Sequence, residues 1–177
     1  MRDPATEIAP GTIRFERYMP GPIPRIWDYL THPTIRGRWL ATGPMDQKIG
    51  GKYELHFRHD ELTPHAEIAP EKFASPKGII VRGEITEYKF PHILGFTWSP
   101  GGPDSKISVV LTQLTSQIRV SFIIEGLADR ETQIETAAHW HAHLNVLEAK
   151  SNNLLPPPFW KRVAEYEKEY RTLFREA

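Results

Sequence analysis

Residues 79–98 read IIVRGEITEYKFPHILGFTW, and residues 135–147 read ETAAHWHAHLNVL. In the first stretch apolar and polar side chains alternate on both sides of Phe90, Pro91 and His92. That is the pattern of two strands joined by a tight connection. Leu94, Phe96 and Trp98 share one face of the second strand. In the other stretch Trp140, Leu144 and Leu147 recur at helical spacing and make one apolar stripe. Between the two, Ile107, Val109 and Leu111 alternate, and Val120, Phe122 and Ile124 repeat the pattern. Short strands followed by one long helix predict an antiparallel sheet curling around that helix, an arrangement that leaves room for a ligand between the layers.

Upstream, residues 13–18 (IRFERY) alternate as a half-buried strand. Pro20, Pro22 and Pro24 force a turn, and Ile26, Trp27 and Leu30 then make one face of a short helix that Pro33 ends. A second short helix is expected at 35–40. Gly50 and Gly51 open the next strand, with Tyr53, Leu55 and Phe57 on one face and Glu54, His56 and Arg58 on the other. A further weak strand is expected at 45–49. No period survives from 59 to 77, where Pro64, Pro70 and Pro76 interrupt the chain. Loops of this length are usually functional or mobile. Gly83, inside the strand at 79–88, marks an expected bulge or bend. Asp129 suits a helix N-cap and Glu131 suits the first turn, so the long helix is expected to run to about residue 150. A final helix over about 159–174 places Phe159, Val163, Tyr166 and Tyr170 on one stripe.

The chain has 177 residues, enough for one domain with a real core. Its formal net charge is zero, with none of the basic surplus that a nucleic-acid binder shows. No run approaches the roughly 20 apolar residues that span a bilayer. The polar stretch 1–10 lacks the apolar core of a signal peptide. Cysteine is absent, which removes disulfides, thiolate catalysis and cysteine zinc sites. A cytoplasmic location, no membrane partner and no nucleic-acid partner are therefore expected.

This order of elements, with these residues, resembles the SRPBCC superfamily, the START-like or helix-grip fold. Within it the chain resembles the branch named after activators of the heat-shock protein 90 ATPase. The residues that carry the likeness are Pro22 with Ile26 and Trp27, Pro33, Arg38 and Trp39, Gly50 and Gly51, and Gly83 followed by Glu87. They continue with Pro91, Leu94, Phe96, Thr97 and Trp98, then Gly126 and Leu127, and finally Trp140, His143, Leu144 and Leu147. The resemblance implies an α+β fold: a curved antiparallel sheet wrapped around a long C-terminal helix, with an apolar cavity between them. Here an additional terminal helix follows. The family often has a polar residue, frequently histidine, where this chain has Ile124. The loop at 59–78 is also longer than is usual in the branch, so it is expected to lid or narrow the cavity mouth. The organisation expected is a helix-grip binding domain over 1–153 and a helical extension over 154–177. That extension docks on its own domain or pairs with a second copy as a homodimer.

Alternation places Tyr53, Leu55, Phe57 and Ile85 on the face that meets the helix, together with Phe96, Trp98, Val109, Phe122 and Ile124. With Trp39 and the helix residues Trp140, His143 and Leu144, these are the expected ligand-binding residues. Glu135, His139 and His143 lie on one ridge of the helix, with His141 pointing away. Three ligands on one helix edge lack a second element to complete a metal shell, so no metal and no cofactor is expected. His59 and His65 are read as solvated loop residues. For acid–base work the candidates are Glu87, His143, Arg17 and Tyr53, but no nucleophile–base–orienter set accompanies them. The function expected is binding of a small apolar or amphipathic molecule. The alternatives are a cyclase- or hydrolase-type enzyme using the same cavity, as in related folds, and a co-chaperone-like interaction with a chaperone partner.

Overall fold

The computed structural model describes residues 1–175. Seven strands form one antiparallel sheet: β1 (Thr6–Ala9), β2 (Thr12–Met19), β3 (Lys52–Phe57), β4 (Ile79–Lys89), β5 (Ile93–Thr97), β6 (Lys106–Gln113) and β7 (Ile118–Glu125). Their spatial order is β1-β2-β7-β6-β5-β4-β3. Two short helices, α1 (Ile23–Thr31) and α2 (Pro33–Arg36), connect β2 to the β3 side. The long helix α3 (Arg130–Ser151) follows the sheet, and α4 (Phe159–Leu173) closes the chain.

Register turns the alternation of each strand into rows across the sheet. Ile85 stands opposite Phe96, Phe96 opposite Ile107, Ile107 opposite Ile124, and Ile124 opposite Ile13. All five side chains are buried. A slip of one residue in any strand would turn its apolar set to solvent, so this row pins the register. The concave face meets α3 through Trp140, Leu144 and Leu147, each at most 2% exposed. Asp129 caps α3 by accepting the Thr132 N–H at 2.8 Å.

The opposite flank of α3 is buried too, because α4 covers it. Phe159, Val163, Tyr166 and Tyr170 are the buried stripe of that helix. The Tyr170 hydroxyl accepts the Ala5 N–H at 2.8 Å, and Asn145 donates to the Tyr166 hydroxyl. The extension therefore packs on the helix that precedes it. Among the described residues no helix is long and apolar enough to cross a membrane.

Several local expectations differ from the structure. Strand β1 lies in the stretch read as a polar terminus, where its outer face is exposed and carries no strong pattern. The second short helix ends at Arg36, and residues 37–40 continue as turns. At 45–49 there is only an isolated bridge from Met45 to Tyr53. Gly83 is not the bulge: the register shift falls between Ile85 and Glu87. Gly83 is instead a close approach. A Cβ there would sit 2.3 Å from the Thr97 Oγ1 and 2.6 Å from the Tyr53 ring.

Candidate functional site

The middle of the grip is filled. Trp39 meets Phe122 and Trp140 edge-on, with centroids 6.3 and 6.4 Å apart. Leu55, Phe96 and Val109 complete this interior, where only about 10 Å³ stays free. That is no more than one water needs.

The space lies at the open end of the grip. A cleft of about 200 Å³ runs between the first residues of β4, the end of β3 and the N-terminal half of α3. Of the expected residues it gathers Phe57, Trp98, Trp140 and His143, and it adds Leu40, Phe73, Ile79 and Val81. Trp39, Leu55, Phe96, Val109 and Phe122 surround the filled interior instead, with Trp140 between the two. Tyr53, Ile85, Ile124 and Leu144 are buried core residues that line neither space. A second space of about 270 Å³ shares Phe57, His59, Phe73 and Ile79 with the cleft, and Arg58 and Asp60 wall it.

The segment 59–78 forms one wall. Its two 3₁₀ turns, His59–Glu61 and Glu71–Phe73, bring His59 and Phe73 over the cleft. Phe73 stacks on Trp160 at 5.2 Å and lies 4.8 Å from the His139 ring. Lys72 donates to the Glu135 carboxylate and ties the segment to α3.

Three histidines line the cleft. His143 donates from Nδ1 to the Trp39 carbonyl at 2.8 Å, and His139 does the same to the Glu135 carbonyl at 2.8 Å. A carbonyl only accepts, so each Nδ1 carries the hydrogen. His59 stacks on Phe57 at 5.4 Å and lies 5.4 Å from His143. Behind them stand Phe159, 4.6 Å from His143, and Trp160, 4.8 Å from His59. Burial pushes the His59 pKa down to about 4, with His139 adding to the effect. Burial first, and then His59, holds His143 well below the usual histidine range. Burial lowers His139 as well. The three rings are thus neutral near pH 7.

His59 is therefore not a solvated loop residue. The alternation Tyr53, Leu55, Phe57, extended one step, reaches it. His141 faces away from the cleft, as helical spacing requires, but it is fully buried, stacked on Tyr166 at 4.0 Å. Burial and the Arg17 guanidinium bring its pKa down to about 3. The helix edge that carries His139 and His143 is covered by α4 and by the segment 59–78. Sequence reasoning also missed Arg36, which donates to the carbonyls of Ala41 at 3.0 Å, Thr31 at 3.3 Å and Gly43 at 2.6 Å. It thereby braces the turn whose Trp39 carbonyl holds His143.

The four acid–base candidates do not converge. Arg17 sits 3.5 Å from Glu148 on the α4 side, and Glu87 pairs with Lys89 at 3.6 Å. The Tyr53 hydroxyl donates to the Thr97 carbonyl at 2.5 Å, and burial raises its pKa to about 12. Of the four, His143 alone lines the cleft. Among the described residues no three metal-binding side chains gather in ligating geometry. The histidines can accept hydrogen bonds from a guest. Backbone carbonyls orient His139 and His143, and each leaves its Nε2 free to accept.

The family model described as Activator of Hsp90 ATPase homolog 1-like protein matches residues 20–151, the span from the turn before α1 to the end of α3. The chain belongs to this family. It is a member of the SRPBCC superfamily with the START-like fold. A protein from Bordetella parapertussis, solved in solution by NMR, is 37% identical, with 94% of this chain and 87% of that one covered at a TM-score of 0.79. CalU16 from Micromonospora echinospora is 17% identical, with 96% and 94% covered at a TM-score of 0.69. A conserved protein of unknown function from Enterococcus faecalis is 19% identical, with 97% and 91% covered at 0.67. The last two share the fold. No match was found among curated proteins. In this Hsp90-activator-like chain the family match stops before α4, the helix that backs the histidines of the cleft.

Proposed function

We propose that this protein binds a small apolar or amphipathic molecule in the cleft between the open end of the sheet and α3. One observation carries the reading: about 200 Å³ stays unfilled among aromatic rings while the rest of the grip is packed. Protein interiors rarely leave such space without use. An apolar cavity of roughly 150 Å³ accepts a benzene-sized guest, so one ring or a short alkyl segment fits here. The adjoining space beside Arg58 and Asp60 suits a polar group that remains in water. On this reading residues 1–153 form the binding domain, and the extension from 154 supports it by holding His59 and His143 from behind. The cysteine-free composition supports a cytoplasmic setting.

Native mass spectrometry of freshly purified protein tests for a co-purifying molecule. Trp98 and Trp140 line the cleft and report a guest by fluorescence. A panel of small apolar dyes should quench saturably, and Ile79→Trp, which fills the cleft, should abolish the effect while preserving the melting temperature. No saturable quenching by any dye, with no co-purifying mass, would remove the proposal.

A further inference from the structure

Two histidine nitrogens at the cleft are left as hydrogen-bond acceptors, and this restricts the guest beyond size and apolarity. His143 and His139 both spend the Nδ1 hydrogen on backbone carbonyls, each at 2.8 Å. In a neutral imidazole the other nitrogen, Nε2, is then a bare acceptor. The His139 Nε2 is buried with no partner. The His143 Nε2 has no hydrogen bond to any described residue either, and its ring, 3% exposed, lines the cleft between Phe57 and Phe159. The nearest cations are already engaged. Lys72 is bound to Glu135, and Arg58 lies 3.4 Å from Asp60 and 3.3 Å from Glu61. Beside these acceptors the lining offers the neutral donors Trp98 Nε1, Thr132 and Thr136, but no lysine or arginine to balance an anionic guest. A guest with no polar group would leave the acceptors unpaired, which costs free energy in a buried site.

We propose that the cleft selects a neutral, single-ring aromatic molecule carrying one hydrogen-bond donor, such as a phenol, with His143 Nε2 as the acceptor that orients it. The inference rests on the cleft-binding reading above and narrows its ligand class. One ring is what the volume holds, and Trp98, Trp140, Phe57 and Phe73 supply edges and faces for it to pack against. The fixed position of His143 then sets which end of the ring points inward.

The probes are three para-substituted toluenes: 4-methylphenol, p-xylene and 4-methylbenzoate, each titrated into the full chain near neutral pH and followed by protein NMR. The phenol should bind roughly three- to tenfold more tightly than p-xylene, the range of one neutral hydrogen bond. The benzoate should bind most weakly. His143→Phe should keep p-xylene binding and erase the phenol's advantage. If that variant does not fold, the ring ¹⁵N signals of wild-type His143 decide, since a phenol donating to Nε2 must move them. Equal binding of phenol and p-xylene, tightest binding of the benzoate, or an unmoved Nε2 signal overturns the donor inference and leaves cleft binding standing. No binding by any probe overturns both.

Discussion

The Tyr170 hydroxyl lies 2.8 Å from His141 Nδ1, and the same oxygen accepts the Ala5 N–H at 2.8 Å. One buried phenol thus joins the chain before β1, the middle of α3 and the end of α4. Tyr170→Phe removes the oxygen and strands two buried polar groups. The expected cost is about 1–3 kcal/mol, read from urea unfolding. An unchanged midpoint would show that these groups find other partners.

Removal of the chain after Asn153 should lower the melting temperature, because Phe159 and Tyr170, each at most 1% exposed, leave α3 with an uncovered apolar flank. The same truncation should weaken dye binding, since Phe159 and Trp160 no longer hold His59 and His143. A truncated chain as stable as the full one would make α4 dispensable.

Acid should destabilise the fold early. Histidine has a pKa near 6.5 when unfolded, whereas folding lowers His59 to about 4 and His141 to about 3, and also lowers His139 and His143. Each folded-state value is depressed, so the neutral rings cost nothing above pH 6.5. As pH falls below that, the unfolded chain takes up protons that the folded one refuses. Stability then declines by up to about 1.4 kcal/mol per pH unit for each such histidine, down to its folded value. Unfolding free energies measured at steps from pH 7 to 4 check this. A level profile across that window would refute neutral burial of the rings.

Gly83→Ala should destabilise by about 1–3 kcal/mol, by forcing Tyr53 and Thr97 apart. The Tyr53 hydroxyl bond to the Thr97 carbonyl should weaken with it. A thermal melt with wild-type stability would mean that the strands adjust freely.

Leu144 and Phe122 distinguish packed interior from cleft. Leu144 is 0% exposed and lines neither space, so Leu144→Ala should cost about 2–5 kcal/mol through the cavity it creates. Phe122 borders only the filled interior, so Phe122→Trp should overpack it, at about 1–3 kcal/mol, and leave the cleft open. Loss of dye binding at full stability in Phe122→Trp would move the ligand inward.

The period of two in 53–57, 94–98, 107–111 and 120–124, and the helical spacing of Trp140, Leu144 and Leu147, determined the strands, the long helix and the faces they bury. These are local properties, readable wherever one side of an element meets the core. The sequence also carried the N-cap at Asp129 and the stripe of α4. Tertiary structure alone decided where the space lies. Every inward residue looks alike along a strand, whether its neighbours fill the gap, as around Phe122, or fall short of it, as beside Phe57. It also decided the surroundings of the histidines. Helical spacing told His141 from His139 and His143 by direction, but only the docking of α4 and of the segment 59–78 buries His141 and His143 and half-buries His139. Burial depends on chain far away in sequence, and burial is what makes these rings neutral acceptors.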